Sequence, residues 1–580
     1  MQQPNTHLAN APCSELAPEE CLDTIQNLIS ILILACLPLK VFVGRWQTIR
    51  TRLDHLQNLA SQVSDCPHWH ENALLADLLH KILSTLNQVS DYVKSCSEMA
   101  YSGKLLMQSD LDMVAAALSE HLRDLDVLLR SGVLRQSSAI VLSMPVAEAA
   151  NQDVAFFVRD LFARLKIGGP DFKRKALDSL IELLADDCKR GTVVAKEGDV
   201  PYLIRLLDSD QACIREQAVS AVALLAENEA GRQSLFVEGG LGGLVRVLET
   251  CSHVAREKAA SAIEALTSDP ENAWALSAYG GLSALIELCS SGSLAAQTKA
   301  AGALLNAVNY VEDVRLSMAE EGESTVSLLV GLLVSGTPLA RQHAAECLYI
   351  LISSISTVNL REMIVRDGGG GVQALLQLLH EAPTPRAQEV ALNAISALSA
   401  PPSPTARALV CCHGFLKQLS ELLKGAGGVC VQHAAALTVV NLAAVSDDAR
   451  STLREAGCLT PLVKMLEAKA EETQEAATEA LVALLATQGN RRDFVKDEKS
   501  LGKLVQLLDP GYQGVCKRFP LAVLTVLSKS KSSRRKIAAV GACQHLQRLV
   551  EMEVAGAKKV MVRITGGRIR NLITGAWKNY

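Results

Sequence analysis

Apolar residues along most of this chain recur at three- and four-residue spacing, and the helical runs they mark are themselves repeated. Leu203 opens LIRLL, Leu244 LVRVL, Leu285 LIELC, Leu329 LVGLL and Leu375 LLQLL. Leu419 opens LSELL, Leu462 LVKML, Leu504 LVQLL and Leu546 LQRLV, and Leu161 in LFARL is a weaker, earlier copy. Successive anchors stand roughly 41 to 46 residues apart, the period of solenoids built from two or three helices per repeat. After most anchors a polar pair enters a helix of small residues, as in REQAVSAVALLA (215–226), REKAASAIEAL (256–266), RQHAAECLYIL (341–351) and VQHAAALTVVNLA (431–443). The pattern predicts a short helix, a medium helix at the anchor and a long alanine-rich helix in each copy. Such a unit cannot bury its apolar face alone, so neighbours must stack. Glycines precede most anchors (Gly198, Gly239, Gly280, Gly414, Gly457, Gly541). They are expected to close the last helix of each repeat with a left-handed cap. Pro201 and Pro461 open the helix that follows, where a missing N–H costs little.

Residues 15–130 break this period. Long amphipathic stretches at 41–63, 71–93 and 110–132 predict an up-and-down helical bundle. LISILILACLPL (28–39) is too short to span a bilayer and is expected to be a buried helix. Residues 131–155 lose periodicity and are expected to be a linker, with repeats from 156 to 580.

The repeat phase, GG(L/V)xxLVxLL followed by (R/Q)(E/Q)xAAxALxxLA, resembles the armadillo repeat over about nine to ten copies with degenerate ends. The resemblance implies an all-α fold in which a helical bundle precedes a right-handed α-solenoid whose third helices line a partner-binding groove. YSGKLLMQSDLD (101–112) and HLRDLDVLLRSGVL (121–134) are similar to the N-terminal helical domain of plant armadillo proteins, including the U-box ligases. The short linker leaves no room for a U-box. The similarity therefore points to the plant armadillo family without one, some of whose members are described as similar to yeast vacuolar protein eight. That anchor protein depends on N-terminal acylation, and Met1-Gln2 does not supply the motif.

Composition fits this architecture. Hydrophobic residues make up 49% of the 580 positions and aromatics 4%, so alanine, leucine and valine carry the packing. The 16 cysteines have no framework spacing and no secretory signal precedes them, which predicts reduced thiols in a cytoplasmic or nuclear protein, neither secreted nor membrane-spanning. Net charge is −5, but Lys529 to the end is strongly basic and the rest acidic.

The candidate chemistry is binding. Asn306 and Asn441 fall where armadillo proteins of the importin-α type carry an asparagine that holds a peptide backbone; an amide offers both a donor and an acceptor for that task. The equivalent places elsewhere hold Leu224, Ala265, Ile350, Ala397, Ala483 and Val526, so there is no asparagine ladder. Lys529, Lys531, Arg534, Arg535 and Lys536, with Lys558, Lys559, Arg568 and Arg570, form a basic end suited to capping the solenoid or to weak contact with an anionic membrane. Nucleic acid is disfavoured because the acidic body would repel it. Cys66, His68 and His70, and the run Cys411-Cys412-His413, lack a fourth ligand at suitable spacing and read as turn residues. The glycine clusters at 238–243 and 367–371 lack the Lys-Ser/Thr of a phosphate loop. Neither cofactor, metal, small-molecule substrate nor catalytic motif is expected. The leading expectation is a non-catalytic scaffold binding protein partners. The alternatives are a ubiquitin-pathway adaptor without its own ligase domain and a membrane-surface tether acting through the basic end.

Overall fold

In the computed structural model, residues 17–565 are described except 68, 102, 132–133, 135–150, 188, 355–357, 367–369, 383 and 402. The described residues are helical with turns between, and they divide into two compact units at Gly280/Gly281.

The first unit opens with four long helices, α1 (Pro18–Ala35), α2 (Val43–Ser64), α3 (Ala73–Ser97) and α4 (Lys104–Ser131). The chain runs up and down as the periodicity predicts. The packing order around the core is nevertheless α1-α2-α4-α3, so the turn carrying Trp69–Glu71 crosses a diagonal. Gln57 of α2 donates to Ser30 of α1 at 3.1 Å and Arg45 pairs with Asp112 of α4 at 2.8 Å. Trp46, Ile49, Leu53, Leu56, Leu78, Leu86 and Leu118 fill the interior. The stretch 28–39 is only half the buried helix that the sequence predicts. Ile29, Leu32 and Leu39 are buried, whereas Ile31, Leu34 and Leu37 are more than half exposed. Only one stripe of α1 can face α2 and α3, and the apolar run is wider than that stripe.

Next come α5 (Asn151–Ile167) and α6 (Pro170–Asp186). Ala163 and Ile167 of α5 join the bundle's core. Lys81 of α3 donates to the Lys166 and Ile167 carbonyls at 2.8 and 3.1 Å, placing a cation at the C-terminus of α5 where the helix dipole favours one. Beyond α6 the helices come in threes, and in most sets the third is the longest. In the first unit these are Arg190–Glu197, Val200–Arg205 and Ala212–Ala226, then Glu229–Val237, Gly240–Thr250 and His253–Leu266, then Pro270–Ala278. The second unit continues in the same order. Its third helices are Leu294–Tyr310, Pro338–Ser354, Pro385–Ser399, Val429–Ala443, Glu471–Leu484, Arg518–Leu527 and Ala557–Thr565.

Within each unit, third helices of successive repeats pack on one another. Paired alanines lie buried along these helices: Ala259–Ala260, Ala300–Ala301, Ala344–Ala345, Ala434–Ala435 and Ala476–Ala477 are all 0–3% exposed. Side chains this small let helix axes approach closely, and apolar burial stabilises by about 25 cal/mol per Å². Ser252, Ser293, Thr337 and Thr384 cap the N-termini of third helices by accepting from the N–H three residues on, at 3.4, 3.1, 3.1 and 3.2 Å. One residue of the polar pair seen in the sequence ties back to the end of the preceding helix or to the turn after it. Arg341 Nε donates to Leu333 O at 2.9 Å, Gln432 Nε2 to Leu423 O at 2.9 Å and Gln474 Nε2 to Ala468 O at 2.7 Å. Arg215 and Arg256 do the same to Ser209 O and Leu248 O.

The glycines differ from expectation. Gly239, Gly280, Gly457 and Gly541 are left-handed, with φ of 76°, 72°, 88° and 93°, but they end the short first helix. The chain must reverse there within two residues, which a positive φ allows. Gly198 is extended and Gly414 lies inside His413–Leu423. Of the glycine cluster at 367–371, residues 367–369 lie outside the described residues, and Gly370 opens a helix.

Replacing Ala344 by leucine should overpack the third-helix contact and lower stability by about 1–3 kcal/mol. Ala295→Leu, on the exposed side of a like helix, should leave the thermal midpoint nearly unchanged. Differential scanning calorimetry of both variants checks this.

A charged joint lies inside the first unit, where α4 meets α5 and the first repeat. Lys166 Nζ stands 3.3 Å from Glu120 and 2.5 Å from Asp199, and Arg159 is 3.6 Å from Glu197. Asp124 is 5% exposed and borders a cleft of about 330 Å³ beside them. Burial pushes its carboxyl up to about 6, although Lys166 and Arg123 pull the other way. A raised carboxyl binds its proton more tightly when folded, so ionised Asp124 weakens the fold above pH 6 and the penalty fades as pH falls towards 4. Asp124→Asn should therefore raise stability at pH 7.5 by about 1–2 kcal/mol and change little at pH 4.5. Thermal melts across that range read the difference.

Candidate partner-binding face

The third helix of each repeat has an inner side in the core and an outer side in register from copy to copy. In the first unit Leu224 and Ala265 are half-buried on that outer side. In the second, Asn306, Ile350, Ala397, Asn441, Ala483 and Val526 occupy the same place and are half-buried too. The sequence register thus survives in space, although the residues differ in chemistry. One turn earlier come Ser220 and Ser261 in the first unit, and Glu346, Asn393, Leu437 and Glu479 among those in the second.

Asn441 is tied into the fold. Its Nδ2 donates to the backbone oxygen of Ser396 at 2.9 Å and to Ser396 Oγ at 3.0 Å, so the donor half of the amide joins Val429–Ala443 to Pro385–Ser399. Asn306 is half-buried in Leu294–Tyr310. The sequence singled out both positions but not Ser396, which lies 45 residues from Asn441; only the shared phase of the two repeats could have suggested that partner.

Charge is uneven along the second unit's face. Glu346 binds Arg386, which also reaches Glu389 at 3.2 Å. Glu471–Leu484 exposes Glu471, Glu472, Glu475 and Glu479. Arg518 stands 2.9 Å from Glu471 and 4.0 Å from Glu475. Clefts elsewhere in this unit lie between second helices, one of about 620 Å³ beside Gln373, His380, Phe415 and Lys417. Such a surface can hold an extended or helical partner through amides, apolar side chains and ion pairs. Among the described residues no group of three or more His, Cys, Asp or Glu is placed to hold a metal. Cys66 donates its S–H to Gln62 O at 3.5 Å and His70 sits in the turn Trp69–Glu71, whereas His68 lies outside the described residues. Cys411 and Cys412 separate two helices and are exposed. The 14 described cysteines are free thiols.

At the basic end, Lys529, Lys531, Arg535, Lys536, Lys558 and Lys559 are exposed. Arg534 is half-buried and donates to Arg563 O at 3.4 Å, joining Lys531–Ala539 to Ala557–Thr565. Arg568 and Arg570 lie outside the described residues. No described helix is long and apolar enough to cross a membrane.

Comparison with known proteins bears on both regions. Residues 446–485 match the armadillo/beta-catenin-like repeat. That span runs from Ser446, the cap of Asp447–Glu455, to the end of Glu471–Leu484, so it delimits one set of three helices. This stretch is an armadillo-type repeat. Residues 23–133, the four-helix region, match a domain of unknown function, DUF7032. An engineered protein of known crystal structure is 25% identical with a TM-score of 0.60, over 72% of this chain and 98% of that one. A designed armadillo repeat protein is 22% identical with a TM-score of 0.37, over 42% and 99%. No curated protein matches the chain. The sets of three helices, the repeat match at 446–485 and the likeness to the engineered protein show an all-α fold of armadillo-type helical repeats that follows a four-helix region.

The Asn441 link generates a prediction. Asn441→Ala should lower unfolding free energy by about 1 kcal/mol, the usual net worth of such bonds. Its effect should be less than additive with Ser396→Ala, which urea unfolding of the two single variants and the double variant would measure.

Proposed function

We propose that this protein is a non-catalytic scaffold that binds protein partners across the outer face of its third helices, with the four-helix region as a second module. The observation that carries the reading is the register of that face. The same half-buried position recurs from Leu224 to Val526 while its chemistry changes from leucine to asparagine to alanine. Core packing fixes the backbone of each helix and leaves the outward residue free to vary, which is how a solenoid presents an extended recognition surface. Armadillo repeats generally serve protein interaction, in keeping with this reading. The basic cluster from Lys529 to Lys559 gives the last described helices a polar outer face.

The test is quantitative affinity capture with the full chain. Ile350→Arg and Leu437→Arg should each deplete specific partners at least several-fold, as a charge placed in a docking surface does. Lys531→Glu/Arg535→Glu should retain them. Partners kept by both face variants would move recognition elsewhere and overturn the proposal.

A further inference from the structure

Among the described residues, eight of the 21 exposed large hydrophobic side chains fall in two short stretches, 31–43 and 99–113. Both stretches belong to one end of the four-helix region. The Phe42 and Tyr101 rings meet edge-on with centroids 5.8 Å apart, and the Arg45–Asp112 pair ties α2 to α4 just behind them. Helix α5 docks at the opposite end, reaching Lys81 near the start of α3. The apolar end therefore projects away from α5. Its connections and the first turns of α2 and α4 carry Leu37 (58% exposed), Val43 (58%), Met99 (64%), Leu105 (83%) and Leu106 (55%). Phe42 and Met99 are also held in the left-handed region, with φ of 54° and 56°, which side chains bearing a Cβ disfavour.

An apolar patch of this kind on a soluble surface marks an interaction site. Its shape and flanks identify the occupant. The side chains stand on two adjoining connections and helix ends, so they form a projection, and none of them lines the clefts described above. A projection suits a deformable apolar medium better than a partner helix, which needs a groove. Lys40 follows Leu39 and Lys104 precedes Leu105, both exposed, an arrangement in which leucines enter the acyl boundary while ammonium groups stay among headgroups. From Asn27 to Pro38 the chain carries no charge, so the outer face of α1 can follow them to that depth. Glu98 is exposed at the same end, so the net charge there is small and the apolar side chains carry most of the attraction. We propose that this end of the four-helix region docks on an anionic lipid bilayer, with Leu37, Met99, Leu105 and Leu106 entering the interface and Lys40 and Lys104 meeting acidic headgroups. The site is distinct from the basic end of the chain and from the third-helix face.

The test is flotation of the full chain with vesicles of phosphatidylcholine alone and of phosphatidylcholine with phosphatidylserine. Wild type should float with the mixed vesicles, more weakly with the neutral ones. Leu105→Glu/Leu106→Glu should lower binding by about tenfold or more. Lys40→Ala/Lys104→Ala should lower it by up to about fivefold per lysine on the acidic vesicles alone. Lys558→Glu/Lys559→Glu should bind as wild type does. All substituted side chains are exposed, and matching thermal midpoints confirm intact folds. Absence of vesicle binding by wild type would overturn the proposal, as would binding that Leu105→Glu/Leu106→Glu does not weaken. So would a dimer that dissociates in that variant, because the occupant would then be a second copy of the chain.

Discussion

The structure depends on close contact between alanine-lined third helices. A three-helix repeat of about 40 residues buries too little apolar surface to fold alone, since the share of surface buried on folding falls as chains shorten. Stacking supplies the missing burial, and it does so through side chains too small to hold the helices apart. Pairs such as Ala344–Ala345 and Ala434–Ala435 are conspicuous for having almost no exposed surface. Everything else follows from that contact. The third helices must be long, because they carry the inter-repeat interface. First and second helices can be short, since they mainly cover the other side. The end repeats need polar or foreign cover, and in the first unit α5 and the four-helix core provide it.

The same contact links stability to function. Once the inner side of a third helix is committed to packing, its outer side is fixed in position but free in chemistry. Asn441 shows how narrow the boundary is: a residue on the outer side spends its donor on Ser396 of the neighbouring helix. This bond holds Val429–Ala443 and Pro385–Ser399 in register and keeps that part of the face regular.

Much of this was legible in the sequence because a repeat makes its own evidence. The leucine anchors and small-residue helices fixed the phase, and the phase correctly put Leu224, Ala265, Ile350 and Val526 in equivalent half-buried places. What failed was information that one copy does not contain. The glycines could be counted but not assigned to the right helix end, because either joint accepts a left-handed residue. Arg341 and Gln432 were visible as part of a pattern, yet their acceptors, Leu333 and Leu423, lie across a turn. The exposed half of α1 was missed because hydrophobicity alone does not say how wide a stripe the neighbours cover. Asp124 gave no signal, since its burial comes from α5 and the first repeat rather than from its own helix.

The central claim is that each third helix has one side in the core and one side open to a partner. The most direct measurement is peptide-resolved labelling of the full chain with a thiol reagent, using single Ala→Cys substitutions. Ala265, Ala397 and Ala483 sample the outer side, and Ala262, Ala394 and Ala480, each 0% exposed, sample the inner side of the same helices. The account predicts labelling of the outer set in the native protein and of the inner set only after unfolding. Native protection of the outer set would show that the face is covered, and would contradict its role as a docking surface.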